Sequence, residues 1–145
     1  MEETMIAGLI GLVMVLVSVV LHYELLSYTA RLLRRVRLKN RVRVTIGVLG
    51  VLIAHLASIV LFAFLYFLIN VSPWLGSLGG AFEGLPRDYL YFSLTSFTTL
   101  GVGDVTATGD LRLISGLQAL LGFVLIGWSA SFTFVVMQRT WEEAD

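Results

Sequence analysis

The sequence predicts an all-α membrane protein with three transmembrane helices and one shorter re-entrant helix that leads into a glycine-containing loop. Three observations carry this. The chain has 145 residues, 57% of them hydrophobic and only 14% charged, with a mean hydropathy of +0.88, whereas a soluble domain of this size is near half apolar and about a quarter charged. Three apolar runs, Met5–Tyr28, Val44–Ile69 and Leu111–Met137, each exceed the roughly 20 residues needed to cross about 30 Å of hydrocarbon. A fourth run, Tyr89–Thr99, is too short to cross and fits a helix that stops midway and returns as extended chain. Such a return is tolerated only where protein or a wet cavity surrounds it.

The first run begins Met1-Glu2-Glu3, acidic where a signal peptide is basic, and no small-residue cleavage site follows it, so it is expected to be a retained helix. Seven of the ten basic residues, Arg31, Arg34, Arg35, Arg37, Lys39, Arg41 and Arg43, fall between the first two runs. The positive-inside rule puts that segment and the C-terminus in the cytoplasm and the N-terminus outside. Contact with anionic lipid headgroups is the expected second role of this basic loop. No aromatic-rich or folded module accompanies the charge, so nucleic acid is not an expected partner. The segment 70–87 holds both prolines and reads as an irregular outer loop, in which Trp74 and Phe82 are expected to anchor at the interface. Asp88 reads as the N-cap of the short helix. Without cysteine there are no disulfides or thiolate metal sites.

After the short helix comes Ser96-Phe97-Thr98-Thr99-Leu100-Gly101-Val102-Gly103-Asp104. Glycines one residue apart open backbone angles closed to other residues, so consecutive carbonyls next to Thr99 can point to one side. Four such strands around an axis would stack oxygen cages able to replace the water shell of a cation. The stretch resembles the filter of the potassium-channel pore family, Thr-Val-Gly-Tyr-Gly-Asp. Over residues 44–137 the chain is similar to that family's outer helix, linker, pore helix, filter and inner helix. With its extra first helix the chain resembles small prokaryotic members of this two-transmembrane family that carry an added N-terminal helix.

The resemblance implies a homotetramer in the plasma (inner) membrane that passes K+ through carbonyls of Thr99, Leu100, Gly101, Val102 and Gly103, the ion sites lying at Thr99, Leu100, Gly101 and Val102. It implies no other cofactor. Asp104 would form a ring of carboxylates at the outer mouth. Leu100 stands for the family's valine, and its side chain is expected behind the strand. Val102 stands for the family's tyrosine and cannot donate that hydroxyl's hydrogen bond. Tyr91 and Phe92 are expected to form an apolar cuff instead, with Thr98 also supporting the filter. Thr95 occupies the position of the partner acid found in several members, so a Thr95–Asp104 hydrogen bond is expected.

On this reading the chain divides into an N-terminal helix (1–30), a basic cytoplasmic loop (31–43), a pore domain (44–137) and a short tail (138–145), with Trp141 at the inner interface. In the last run Gly122 is a candidate hinge or close-packing residue. Gly127 and Phe132, with Phe134, are candidates for a hinge or dewetting gate. Ser115, Gln118, Ser129, Ser131 and Thr133 are available to face a wet cavity. The first run has no arginine ladder and so is no voltage sensor. His22, Glu24 and His55 are ionisable groups in or near the membrane and candidates for proton sensing. Counting ~1.5 Å per residue from the inner boundary puts His55 roughly 10 Å deeper than His22, too far to share a metal ion. No metal cluster, nucleophile triad or phosphate loop points to an enzyme. The alternatives left open are a weakly selective Na+/K+ channel, allowed by Val102, and a non-conducting membrane subunit or scaffold.

Overall fold

The computed structural model describes residues 1–35, 39–71 and 73–142. Its order is α1 (Glu2–Arg35), α2 (Asn40–Val71), a 3₁₀ turn (Pro73–Leu75), β1 (Leu78–Gly80), α3 (Pro86–Phe97), β2 (Val105–Ala107) and α4 (Leu111–Glu142). Helices α1, α2 and α4 are each long and apolar enough to span a membrane, and α3 is the expected short helix. The fold is that of an all-α membrane protein.

The helices run further than their apolar runs. At 34 residues, α1 is about 51 Å long, well beyond the ~30 Å of hydrocarbon. A helix need not stop where lipid does: Arg34 and Arg35 sit in the last turn of α1, where cations complement the negative end of the helix dipole. The expected loop 31–43 is therefore helical at both ends, up to Arg35 and from Asn40. Arg37 lies outside the described residues.

The outer linker is more ordered than its composition suggests. β1 pairs antiparallel with β2, in the register Leu78↔Ala107, Gly79↔Thr106 and Gly80↔Val105. Gly80 is required there, since it has φ +83° and a Cβ would overlap the Asp104 carbonyl oxygen. Trp74 is half exposed, but Phe82 packs edge-on against Tyr89 with ring centroids 5.1 Å apart. Phe82 is thus partly buried against the fold.

Two clusters fill the interior. The outer one joins Phe62, Tyr66 and Ile69 of α2, Tyr89, Phe92 and Phe97 of α3, and Leu111, Ile114, Leu121 and Leu125 of α4. The inner one holds only Leu26, Val51 and Ala54 as buried members, with Leu25 and Phe132 packed against them. The seven buried residues of α1, from Ala7 to Leu33, are spaced three, four or seven positions apart, so one stripe of this helix faces α2 and α4. Lipid is as apolar as leucine, so helix contact in a bilayer relies on close packing and hydrogen bonds. Gly50 of α2 supplies one such contact: its missing side chain admits Thr29 of α1, whose atoms would lie 2.5 Å from a Cβ.

Candidate ion-conduction site

The site begins with the seating of α3. Leu85 is its N-cap. Asp88, expected to be the N-cap, is the third helical residue, and its Oδ2 accepts the N–H groups of Leu85 (3.1 Å) and Glu83 (3.0 Å). This is the reaching-back half of a capping box. Partial desolvation raises the Asp88 pKa, but those two N–H bonds and Arg87 outweigh it and hold the carboxyl below its usual range. Arg87 also bonds Glu83 at 2.7 Å.

Behind α3 lies a buried polar chain. The Tyr66 hydroxyl donates to Gln118 Oε1 (2.6 Å), Gln118 Nε2 donates to Ser93 Oγ (2.7 Å), and Ser93 Oγ donates to the Ile59 carbonyl (2.7 Å). Tyr66, Gln118 and Ser93 are all fully buried. The chain ties α2 through α4 to the middle of α3. Gln118, a candidate cavity-lining residue by sequence, is instead inside the subunit.

The C-terminal end of α3 sits under α4. A Cβ at Gly122 would overlap the Phe97 carbonyl oxygen, and α4 runs unbroken from Leu111 to Glu142. Gly122 is therefore a close-packing residue in this conformation. Thr98 caps the helix in the αR region, and Thr99 follows at φ +58°. Thr99 N–H donates to the Ser96 carbonyl (3.0 Å) and Leu100 N–H to the Thr95 carbonyl (3.0 Å). These are the two bonds of a Schellman ending, with threonine where glycine is usual. A β-branched residue there is an outlier costing on the order of 1 kcal/mol. Positive φ then recurs at Gly101 (+54°) and Gly103 (+86°), so the backbone enters the left-handed region at every second residue.

All residues from Thr98 to Asp104 are exposed in the single chain. Leu100 is 68% and Val102 57% exposed in the single chain. Phe92 is buried, edge-on to Tyr66 with centroids 5.0 Å apart, and borders the groove beside Thr99 and Gly101. Thr95 Oγ1 donates to the Phe92 carbonyl, not to Asp104. The partner of Asp104 is Tyr91, whose hydroxyl lies 3.0 Å from both carboxylate oxygens. This hydrogen bond, with some desolvation and the carboxylate charge, pushes the Tyr91 phenol above its usual pKa. Asp104 Oδ1 also accepts the Val105 N–H, and the Asp104 carbonyl accepts the Ala81 N–H at 2.8 Å. The segment is thus pinned at its start by the α3 ending and at its end by Tyr91 and the β1–β2 ribbon.

Residues 51–139 match the sequence pattern of a family described as ion channel. The match covers α2 from its fourth turn onward, α3, the Thr98–Asp104 segment and most of α4. The chain belongs to the two-transmembrane ion-channel family. No curated protein and no solved structure matches it.

In this channel subunit the remaining candidates are distributed as follows. Phe132 packs against the inner cluster of α1 and α2 residues, so it is turned into the subunit, while Phe134 is 62% exposed. A Cβ at Gly127 would meet nothing within 4 Å. Ser129, a second cavity candidate, is buried. Its hydroxyl lies 3.0 Å from Nε2 of both His22 and His55, whose rings stack at 5.2 Å. The expected 10 Å separation is therefore wrong. The count started from a boundary near Tyr28 and Val44, but the helices continue to Arg35 and resume at Asn40, which brings the two histidines level. Their rings are nearly parallel, 14° apart, and the described residues hold no group of three metal-ligating side chains. Glu24 stands apart, exposed and 3.7 Å from Arg31. Tyr66, Ser93 and Ser129 as hydrogen-bonding partners were not singled out by sequence. A polar residue in an apolar helix signals only that some partner exists.

Proposed function

We propose that four copies of this subunit surround one axis and conduct dehydrated K+ through carbonyls of Thr99, Leu100, Gly101, Val102 and Gly103, with the Thr99 hydroxyl in the innermost cage. The observation that carries this reading is the recurrence of left-handed φ at Thr99, Gly101 and Gly103 in an uncovered strand. An ordinary strand sends successive peptides to opposite sides. Left-handed residues at every second position undo that alternation and let successive carbonyls share one side, as a cation filter requires. A groove of about 480 Å³ beside Thr99 and Gly101, bounded by Ser115 and Gly116 of α4, leaves room for a neighbouring copy. The exposed, tethered Asp104 would then form one corner of a ring that concentrates cations. The basic ends of α1 and α2 support an orientation with the C-terminus in the cytoplasm and the N-terminus outside, in the plasma (inner) membrane.

The weakly selective monovalent cation channel is favoured by one observation: Val102 has no hydroxyl, and the Tyr91 hydroxyl holds Asp104 rather than Val102. Reversal potentials of purified protein in bilayers decide between the two. A value near the K+ equilibrium potential under opposing K+ and Na+ gradients is expected, and a value near zero defeats selectivity. Liposome flux abolished by Gly101→Ala is expected for conduction. Absence of flux in the unmodified protein would leave a non-conducting subunit. The His22–Ser129–His55 bridge between α1, α2 and α4 is the proposed proton-responsive element. Open probability measured against internal pH is expected to flatten in His55→Ala, and an unchanged titration removes that role.

A further inference from the structure

Two polar atoms in the middle of α1 are buried with nothing to bond. Ser18 and His22 are both fully buried, yet Ser18 Oγ and His22 Nδ1 have no hydrogen-bond partner among the described residues. Ser18 stands near the centre of this 34-residue helix, where lipid offers no water to make up the loss. A buried polar atom left unpaired carries its whole desolvation cost, and two of them one turn apart call for a shared explanation.

Both atoms border the same space. Residues four apart lie on one face of a helix, with Cβ atoms about 6 Å apart, and helical side chains lean toward the N-terminus, so His22 leans toward Ser18. Its other nitrogen, Nε2, is already engaged by Ser129 Oγ at 3.0 Å. Across from the pair runs α2. Leu26 clusters with Val51 and Ala54, and His22 stacks on His55. The antiparallel stripe 51–54–58 of α2 is therefore level with 26–22–18 of α1, which brings Ser58 to the level of Ser18. Ser58 is fully buried. Its hydroxyl donates over a long 3.4 Å to the Ala54 carbonyl and accepts no hydrogen bond among the described residues. The Ala54 carbonyl lies beside the His22 ring without bonding Nδ1. Two serines and an alanine thus surround the imidazole edge, so polar groups gather where small side chains leave room.

We propose that one water molecule is bound here between α1 and α2, held by Ser18 Oγ, His22 Nδ1 and Ser58 Oγ. Buried waters typically make about three hydrogen bonds to groups that otherwise lack partners, and three are on offer. Water is singled out because it both donates and accepts. It serves either neutral tautomer of His22, accepting from an Nδ1–H or donating to a bare Nδ1, whereas a cation fits only the bare nitrogen. His22 has no ion-pair partner among the described residues, so an ion of either sign would lie uncompensated in the hydrocarbon. With the water in place, Ser18, His22, Ser129 and His55 belong to one hydrogen-bonded chain that crosses α1, α4 and α2. The N-terminal helix is then fastened to α2 by bonds that the two helices do not make directly.

Water-to-protein polarisation transfer in solid-state NMR, on the full chain in bilayers with isotope-labelled histidine, tests this. Fast transfer to His22 Nδ1 is expected. It should slow several-fold in Ser18→Ala and in Ser58→Ala, but not in Ser27→Ala, which lies on α1 outside the site. Melting temperature supplies an independent sign. Ser18→Ala takes a partner from the water and should lower it, whereas in a dry site the same change deletes an orphaned hydroxyl and raises it. Slow transfer to His22 Nδ1 in the unmodified chain, undiminished transfer in Ser18→Ala or Ser58→Ala, or a raised melting temperature in Ser18→Ala overturns the proposal. Transfer that reaches His55 but not His22 would put the water on the far side of the bridge and overturn it as well. Both readouts are independent of conduction, so a subunit that passed no current would leave the site standing.

Discussion

Behind α3, Tyr66, Gln118 and Ser93 pass hydrogen bonds from one helix to the next until they end on the Ile59 carbonyl. In the inner half, His22 and His55 meet on a single Ser129 hydroxyl, and both His22 Nδ1 and Ser18 Oγ are buried without a hydrogen-bond partner among the described residues. A hydroxyl has one proton to donate and can accept others. With both rings neutral, the hydroxyl either donates to one imidazole and accepts from the other or accepts from both, so at least one ring is the Nε2–H tautomer. The large aromatic cluster lies with the first network, and the cluster of three buried residues lies near the second. The difference teaches where rigidity is placed. The half that seats α3 and the candidate filter is satisfied and densely packed, and the half that joins α1 to α4 keeps polar capacity and space in reserve.

Removing the hub of the closed network should have the largest effect. Gln118→Leu orphans the Tyr66 hydroxyl and takes two bonds from Ser93. Unsatisfied buried groups cost about 1–3 kcal/mol each, so a loss of about 3 kcal/mol is expected. Thermal unfolding in detergent reads it directly. A loss smaller than that of Ser129→Ala would break the comparison, because the outer network would then not be the stiffer one.

Packing gives the next largest effect. Gly122→Ala drives a methyl into the Phe97 carbonyl, a backbone atom that can yield only if the end of α3 moves. Overpacking of this kind costs about 1–3 kcal/mol. Gly127→Ala, five residues later on the same helix, meets open space within the subunit and should be near neutral. Reversal of that order in paired melting measurements would show that α4 packs differently once copies assemble.

How far these contrasts could be read without coordinates depends on the residue. The three spans and the short helix were legible because apolar runs of those lengths have few alternatives in lipid. Their ends were not, because arginines extend a helix past the lipid boundary as readily as they end it. That error alone misplaced His22 relative to His55. Asp104 could be recognised by position, but its partner could not: Thr95 and Tyr91 both lie on α3, and only the geometry puts the Tyr91 hydroxyl 3.0 Å from the carboxylate. Gln118 and Ser129 read equally well as cavity-facing, since a polar side chain between helices carries no direction in its identity. The β1–β2 ribbon was hidden because glycine-rich strands lack the alternating pattern that marks a sheet.

The inner bridge should give less. Ser129→Ala removes both imidazole contacts at once, yet hydrogen bonds between membrane helices average only about 0.6 kcal/mol, so a loss of roughly 1 kcal/mol is expected. If Ser129→Ala instead prevents assembly, the inner half is not the reserve it is taken to be. The same melting series answers this, and His22→Ala, which leaves His55 alone on the hydroxyl, should fall between the variant and the unmodified chain.

The smallest effect asks whether the outer half has a weak point of its own. Its α3 is seated by a carboxylate, and Asp88 is held below its usual pKa chiefly because its bonds to Leu85 and Glu83 need the ionised form. A depressed carboxylate contributes stability that is complete above the ordinary aspartate value, about 4. That contribution is lost as pH falls through the lower folded value. The subunit should therefore soften at its outer end only in strong acid, and Asp88→Asn should remove that part of the acid dependence while changing little at neutral pH. Hydrogen exchange at the Glu83 and Leu85 amides, compared at pH 7 and pH 3, measures it. Equal acid sensitivity in the asparagine variant would remove Asp88 as the cause and with it the weak point at the entry to α3.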